Sequence, residues 1–143
     1  MLSLFALAMV AAGSPAQPDV CPGNTTPEVN ACLGSEYSQA DMDLNKYYKA
    51  AIQQLRTQSS EGAVRELINA QKAWITYRDS ECRAIRDKHR GGTIASSMEA
   101  SCLIRTTRLR TYLIWRNWLT YPDSTPPLLP RPDTNSALSD GRG

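Results

Sequence analysis

"AQKAWITYRDSECR" (residues 70–83) places Gln71, Trp74, Arg78 and Cys82 at spacings of three, four and four. An α-helix turns once in about 3.6 residues, so all four side chains share one stripe. Followed outward, the stripe takes in Val64, Leu67, Ile68, Ile75 and Ile85, and the pattern stops near His89. A long amphipathic helix is therefore expected from the polar stretch at Ser59-Ser60-Glu61-Gly62 to the Gly91-Gly92 turn. Its buried face is unusual in carrying a glutamine and an arginine among apolar residues.

Two further helical patterns flank it. Before it, Val29, Leu33, Tyr37, Ala40, Leu44, Tyr48, Ala51 and Leu55 repeat at threes and fours, behind Thr26-Pro27-Glu28, where Thr26 suits an N-cap and Pro27 a first helical residue. After it, Met98, Cys102, Thr106, Leu109, Leu113 and Trp115 mark a third helix over about residues 94–119, which Tyr121-Pro122 ends. Prolines, serines and aspartates crowd residues 121–143, a composition that predicts a disordered, solvated tail. The expectation is an all-α fold of three long antiparallel helices in a small bundle, with residues 17–120 as the domain.

The chain opens MLSLFALAMVAAGSPAQ, an apolar run ending in small residues at Ser14 and Ala16. This reads as a signal peptide over residues 1–16, although the usual positive charge at its start is missing. No other stretch suits a transmembrane segment. Export to a periplasmic or secreted location changes the meaning of the four cysteines, because an oxidising compartment pairs them. Cys82 lies nine residues before Gly91 and Cys102 ten after Gly92, so a helical hairpin folded at the glycines sets the two sulfurs level. The expected bridges are Cys82–Cys102 and Cys21–Cys32, each contributing about 3 kcal/mol through loop entropy. The cysteine spacings lack the C-x₂-C pattern of structural zinc, and His89 is the single histidine, so no metal or other cofactor is expected.

With 16 Lys+Arg against 14 Asp+Glu in 143 residues, the net charge of +2 demands neither nucleic acid nor an anionic membrane as partner. Hydrolytic chemistry finds little support, since His89 falls in a turn and no serine, threonine or carboxylate pair is visibly partnered. The polar members of the helices point to architecture instead. Asp41 and Asn45 on the first helix, Gln71, Trp74 and Arg78 on the second, and Arg110 on the third are expected to form one inter-helix network, because a buried guanidinium must be paired. The competing reading is a ligand-facing polar patch on an open side of the bundle. Asp79 points about 100° away from Arg78 and is expected to be solvated or paired with a neighbouring basic residue.

"QADMDLNKYY" (39–48), "AQKAWITYRDSEC" (70–82), Gly91-Gly92 and the series Met98, Cys102, Thr107, Arg110, Leu113 together resemble the LprI-type lysozyme-inhibitor family of small exported bacterial proteins. The resemblance spans about residues 21–117 and implies a disulfide-linked helical domain, with a lysozyme as partner. Lysozymes cleave glycosides with two carboxyl groups in a cleft. A rigid loop rich in hydrogen-bond donors would suit that cleft, and Arg86, Lys88, His89 and Arg90 at the hairpin tip are the candidate partner-binding residues. An exposed turn of no special purpose explains the same residues. The alternative function is a non-inhibitory envelope module, using the tip or Arg105, Arg108 and Arg110 to recognise an anionic cell-wall polymer or a partner protein. Trp115 and Trp118, three apart, read as the edge of the core rather than a sugar-stacking platform.

Overall fold

The computed structural model describes residues 21–134, and both the expected signal segment and residues 135–143 lie outside them. Helix α1 spans Thr26–Thr57, α2 Glu61–Lys88 and α3 Ala95–Trp118. The N-cap of α1 falls one residue earlier than expected, at Thr25. Its hydroxyl accepts from the Glu28 N–H while the Glu28 carboxylate accepts the N–H groups of Asn24 and Thr25, a reciprocal capping box. Pro27 then sits in the first turn, where its missing N–H costs nothing.

At the other end of α1 the chain reverses within three residues. Ser59 takes φ 55°, the Ser60 N–H donates to the Leu55 carbonyl and the Ser59 N–H to that of Arg56. This is a Schellman closure with serine in the left-handed position that glycine usually fills. The second reversal uses a glycine: Gly91 has φ +89°, and the Gly92 N–H donates back to the His89 carbonyl.

The helices run up, down and up. Along α1 and α3, Asn30 meets Ser97, Glu36 meets Arg108 and Gln54 meets Tyr121, so these two are parallel. Along α2 and α3, Gln71 meets Arg110, Cys82 meets Cys102 and Arg86 meets Glu99, so these are antiparallel. Both expected disulfides are present, with Cα atoms 5.6 Å apart in Cys21–Cys32 and 5.5 Å apart in Cys82–Cys102.

Because α3 packs along both other helices, its buried stripe differs from the expected one. Cys102, Ile104, Thr107, Thr111 and Ile114 are buried, whereas Met98 and Leu113 are exposed and Thr106 and Leu109 are half-buried. Small threonines at positions 107 and 111 let a central helix approach two neighbours, a demand that apolar periodicity does not reveal. The apolar core lies at the α1–α2 turn and joins Leu44, Tyr47, Ala51, Ile52, Leu55, Val64, Leu67, Ile114 and Leu119. The disulfides hold the opposite end, and the polar residues occupy the layer between.

The tail departs from the expectation of a solvated chain as far as Thr134. Residues 121–134 form no helix or strand, yet they cross α1 and α3 as a strap. Tyr47 Oη donates to the Pro130 carbonyl at 2.7 Å and Trp115 Nε1 to that of Leu129 at 2.9 Å. The Leu128 N–H donates to Leu119 at 2.9 Å, Leu129 packs on the core and Thr134 is buried. Prolines prevent regular structure here, but two aromatic donors and an apolar surface at the helix ends supply docking points that composition alone hides.

Candidate functional site

Two features could do more than hold the bundle together, and the expected polar network is the first. Arg78 is buried, 7% exposed, with its guanidinium between two rings: its carbon lies 5.6 Å from the Tyr37 centroid and 5.1 Å from that of Trp74. The Arg110 guanidinium lies 5.8 Å from the Trp74 centroid. Tyr37, Arg78, Trp74 and Arg110 thus form a ladder of alternating rings and cations that crosses all three helices. Asp41 faces Arg78 at 3.7 Å and takes a hydrogen bond from Asn45, while Gln71 Oε1 accepts from Arg110 Nε at 3.0 Å. All six expected members of the network are therefore in one layer.

The ladder's electrostatics differ between its two cations. Asp79 bends back to accept from Arg78 Nε and Nη2, both at 2.9 Å, so the neighbouring basic residue it pairs with is Arg78 itself. Among the described residues Arg110 has no such acid, and its Nη2 is buried without a hydrogen-bond partner. Burial pulls its guanidinium below the usual value, opposed by Tyr48. Burial likewise raises the Tyr37 phenol, with Arg78 acting against the rise. A cation over a ring keeps its attraction in a partly dry layer, which is why the sequence can place arginines on a core stripe. Chemically the layer offers no nucleophile beside a base, and most of its polar atoms are spent on one another.

The second feature is the hairpin tip. The Cys82–Cys102 bridge joins α2 and α3 one to two turns below it, and the Arg86–Glu99 ion pair at 3.1 Å ties them again. Of the four candidate residues, His89 does not project: its Nδ1 donates to the Ile85 carbonyl at 2.8 Å, and its backbone caps α2. Lys88 is exposed, and Arg90 leaves 79% of its side chain exposed while pairing with Asp87 at 3.0 Å. Arg86 and Arg90 line a groove of about 410 Å³ between the end of α2 and the start of α3, joined there by Arg83, Asp87, Gly91, Ala95 and Ser96. Arg83 escaped the sequence reading, although its spacing of three to Arg86 puts the two arginines on one face of α2, with Arg90 in the turn just beyond.

The other expected basic cluster is not one surface. Arg108 pairs with Glu36 on α1, Arg110 stacks on Trp74, and Arg105 is exposed. Trp115 and Trp118 pack against the core, as expected of its edge.

Comparison with known proteins fits this architecture. The family description Lysozyme inhibitor LprI matches residues 21–113, which take in all four cysteines, the ladder and the hairpin tip but not the strap. A relative in Rhizobium meliloti (strain 1021), the uncharacterized protein R02472, is 32% identical over 104 residues, covering 66% of this chain and 75% of its own length. No solved structure matches the chain. With more than half of its length matched, from Cys21 to Leu113 within α3, the chain belongs to the LprI lysozyme inhibitor family.

Proposed function

We propose that this protein is an exported inhibitor that binds a lysozyme and blocks its glycosidase cleft with the hairpin tip, residues 86–92. The observation that carries the reading is the pinned turn: exposed donors on Lys88 and Arg90 project just beyond a disulfide and an inter-helix ion pair. Pre-organisation of that kind reduces the ordering cost of docking, and charged donors suit a cleft whose chemistry depends on two carboxyl groups. Family membership supports the choice of partner, and the two disulfides support export to an oxidising compartment. No helix among the described residues is long and apolar enough to cross a membrane. A net charge of +2 gives no long-range attraction toward a basic enzyme, so affinity rests on contacts at the tip.

The test is clearing of peptidoglycan suspensions by c-type, g-type and i-type lysozymes as the oxidised protein is titrated in, at low and physiological salt. Saturable inhibition of one class at both salts is expected. Failure to inhibit any class, with the helical fold verified by circular dichroism, would remove the inhibitor reading.

A further inference from the structure

The groove beside the tip has a composition that blocking a cleft does not require. Two of its three guanidiniums come from one face of α2, at Arg83 and Arg86, and the third from Arg90 in the turn just past the helix, and its far wall is the first turn of α3 at Ala95 and Ser96. Arg86 and Arg90 are each held by a single acid, Glu99 and Asp87. Arg83 has only a hydrogen bond to the Ser80 hydroxyl, at 3.4 Å, and no acidic partner among the described residues. The groove therefore retains uncompensated positive charge. The start of α3 adds to it, since no side chain caps that helix: the Ala95 N–H donates to the Gly92 carbonyl, and the N–H groups of Ser96 and Ser97 carry the positive end of the dipole.

We infer that this groove binds a phosphomonoester group, held by Arg83, Arg86 and Arg90 against the start of α3. A guanidinium offers paired N–H donors in a fixed plane, the geometry that phosphate oxygens take. A single carboxylate has two oxygens and one charge, which two arginines already satisfy. A phosphomonoester has three terminal oxygens and nearly two charges at neutral pH, and so can use a third guanidinium and an uncapped helix end together. The group can be free in solution or carried on a lipid headgroup. The groove shares Arg86 and Arg90 with the tip proposed to enter a lysozyme cleft, and Arg83, outside residues 86–92, is the member that tells the two apart.

The probes are glycerol phosphate, a phosphomonoester, and glutarate, a dicarboxylate of nearly the same charge, titrated into the oxidised full chain and followed by calorimetry and backbone amide NMR. Parallel sedimentation uses phosphatidylcholine vesicles with and without phosphatidic acid. Saturable glycerol phosphate binding is expected, at least 10-fold tighter than that of glutarate, with the largest shifts at the amides of Ser96 and Ser97. Arg83→Gln should weaken it 10-fold or more, while Arg131→Gln, on the strap, should leave it unchanged. Sedimentation with phosphatidic acid vesicles that needs Arg83 would place the group on a lipid, and its absence beside glycerol phosphate binding would place it on a soluble molecule. No saturable glycerol phosphate binding, equal preference for glutarate, or equal loss in both variants would overturn the proposal.

Discussion

Replacing Arg78 by alanine removes the centre of the ladder, and its effect can be built from the contacts. Two ring contacts in a partly desolvated layer are worth about 1 kcal/mol each. The pairs with Asp41 and Asp79 add about 1 kcal/mol together, discounted because the acids' side chains are 47% and 42% exposed and so partly screened. Truncating a stem that is 7% exposed leaves a gap between α1 and α2 that adds about another 1 kcal/mol. The sum, about 4 kcal/mol, corresponds to a fall in Tm on the order of 15 °C for a domain of this size. Arg78→Lys keeps the charge but loses the planar stacking, and should recover no more than about half of that stability. Thermal and urea unfolding followed at 222 nm, with disulfides intact, measure both variants. A loss below about 0.5 kcal/mol for Arg78→Ala, or lysine matching arginine, would refute the ladder as a stabilising element.

Other consequences follow from single features. Arg110→Met should change stability by less than about 1 kcal/mol in either direction, since it removes a half-buried cation that lacks an acid among the described residues and has its Nη2 buried unmatched; a loss above about 3 kcal/mol would show that the Gln71 bond and the Trp74 contact outweigh that mismatch. Ser59→Gly should raise stability by about 0.5–1 kcal/mol in urea unfolding by relieving the left-handed conformation, and a destabilised variant would contradict the strain assigned to that turn. Ending the chain after Thr125 removes the acceptors of Tyr47 and Trp115 and the cover of Leu129, so stability should fall by about 3 kcal/mol and tryptophan emission should shift to the red; unchanged values would return the strap to the status of a passive tail.

Much of this architecture is legible in the sequence because it is local or periodic. The stripes of α1 and α2, the stops at Gly91 and Pro122, and the level placement of Cys82 and Cys102 about a Gly-Gly turn all follow from helix geometry. The polar layer is legible too, since Gln71 and Arg78 on a core stripe need partners, and few residues on the other helices can supply them. What escapes is set by three-dimensional neighbours. The stripe of α3 is displaced because that helix serves two partners, and its buried positions include Thr107 and Thr111 where apolar periodicity expects large side chains. Tyr37 looks like an ordinary apolar contact until Arg78 is placed over its ring. The strap reads as a solvated tail because its docking depends on carbonyl groups of Leu129 and Pro130, which no side-chain pattern announces. At the tip, His89 suggests a donor for a partner but is turned back as a cap, whereas Arg83, nearly two turns earlier, carries no signal of its own in the sequence and lines the groove.

The measurement that bears most directly on the central claim is the inhibition of a susceptible lysozyme by a variant in which Lys88, His89 and Arg90 are all replaced by serine. All three lie past the disulfide and outside the core, so the variant should keep its helical content and a Tm within a few degrees of the parent's. If the pinned turn is what enters the cleft, half-inhibition should need at least 100-fold more of the variant than of the parent protein. Inhibition unchanged in a folded variant would contradict the account and move the inhibitory surface away from the tip.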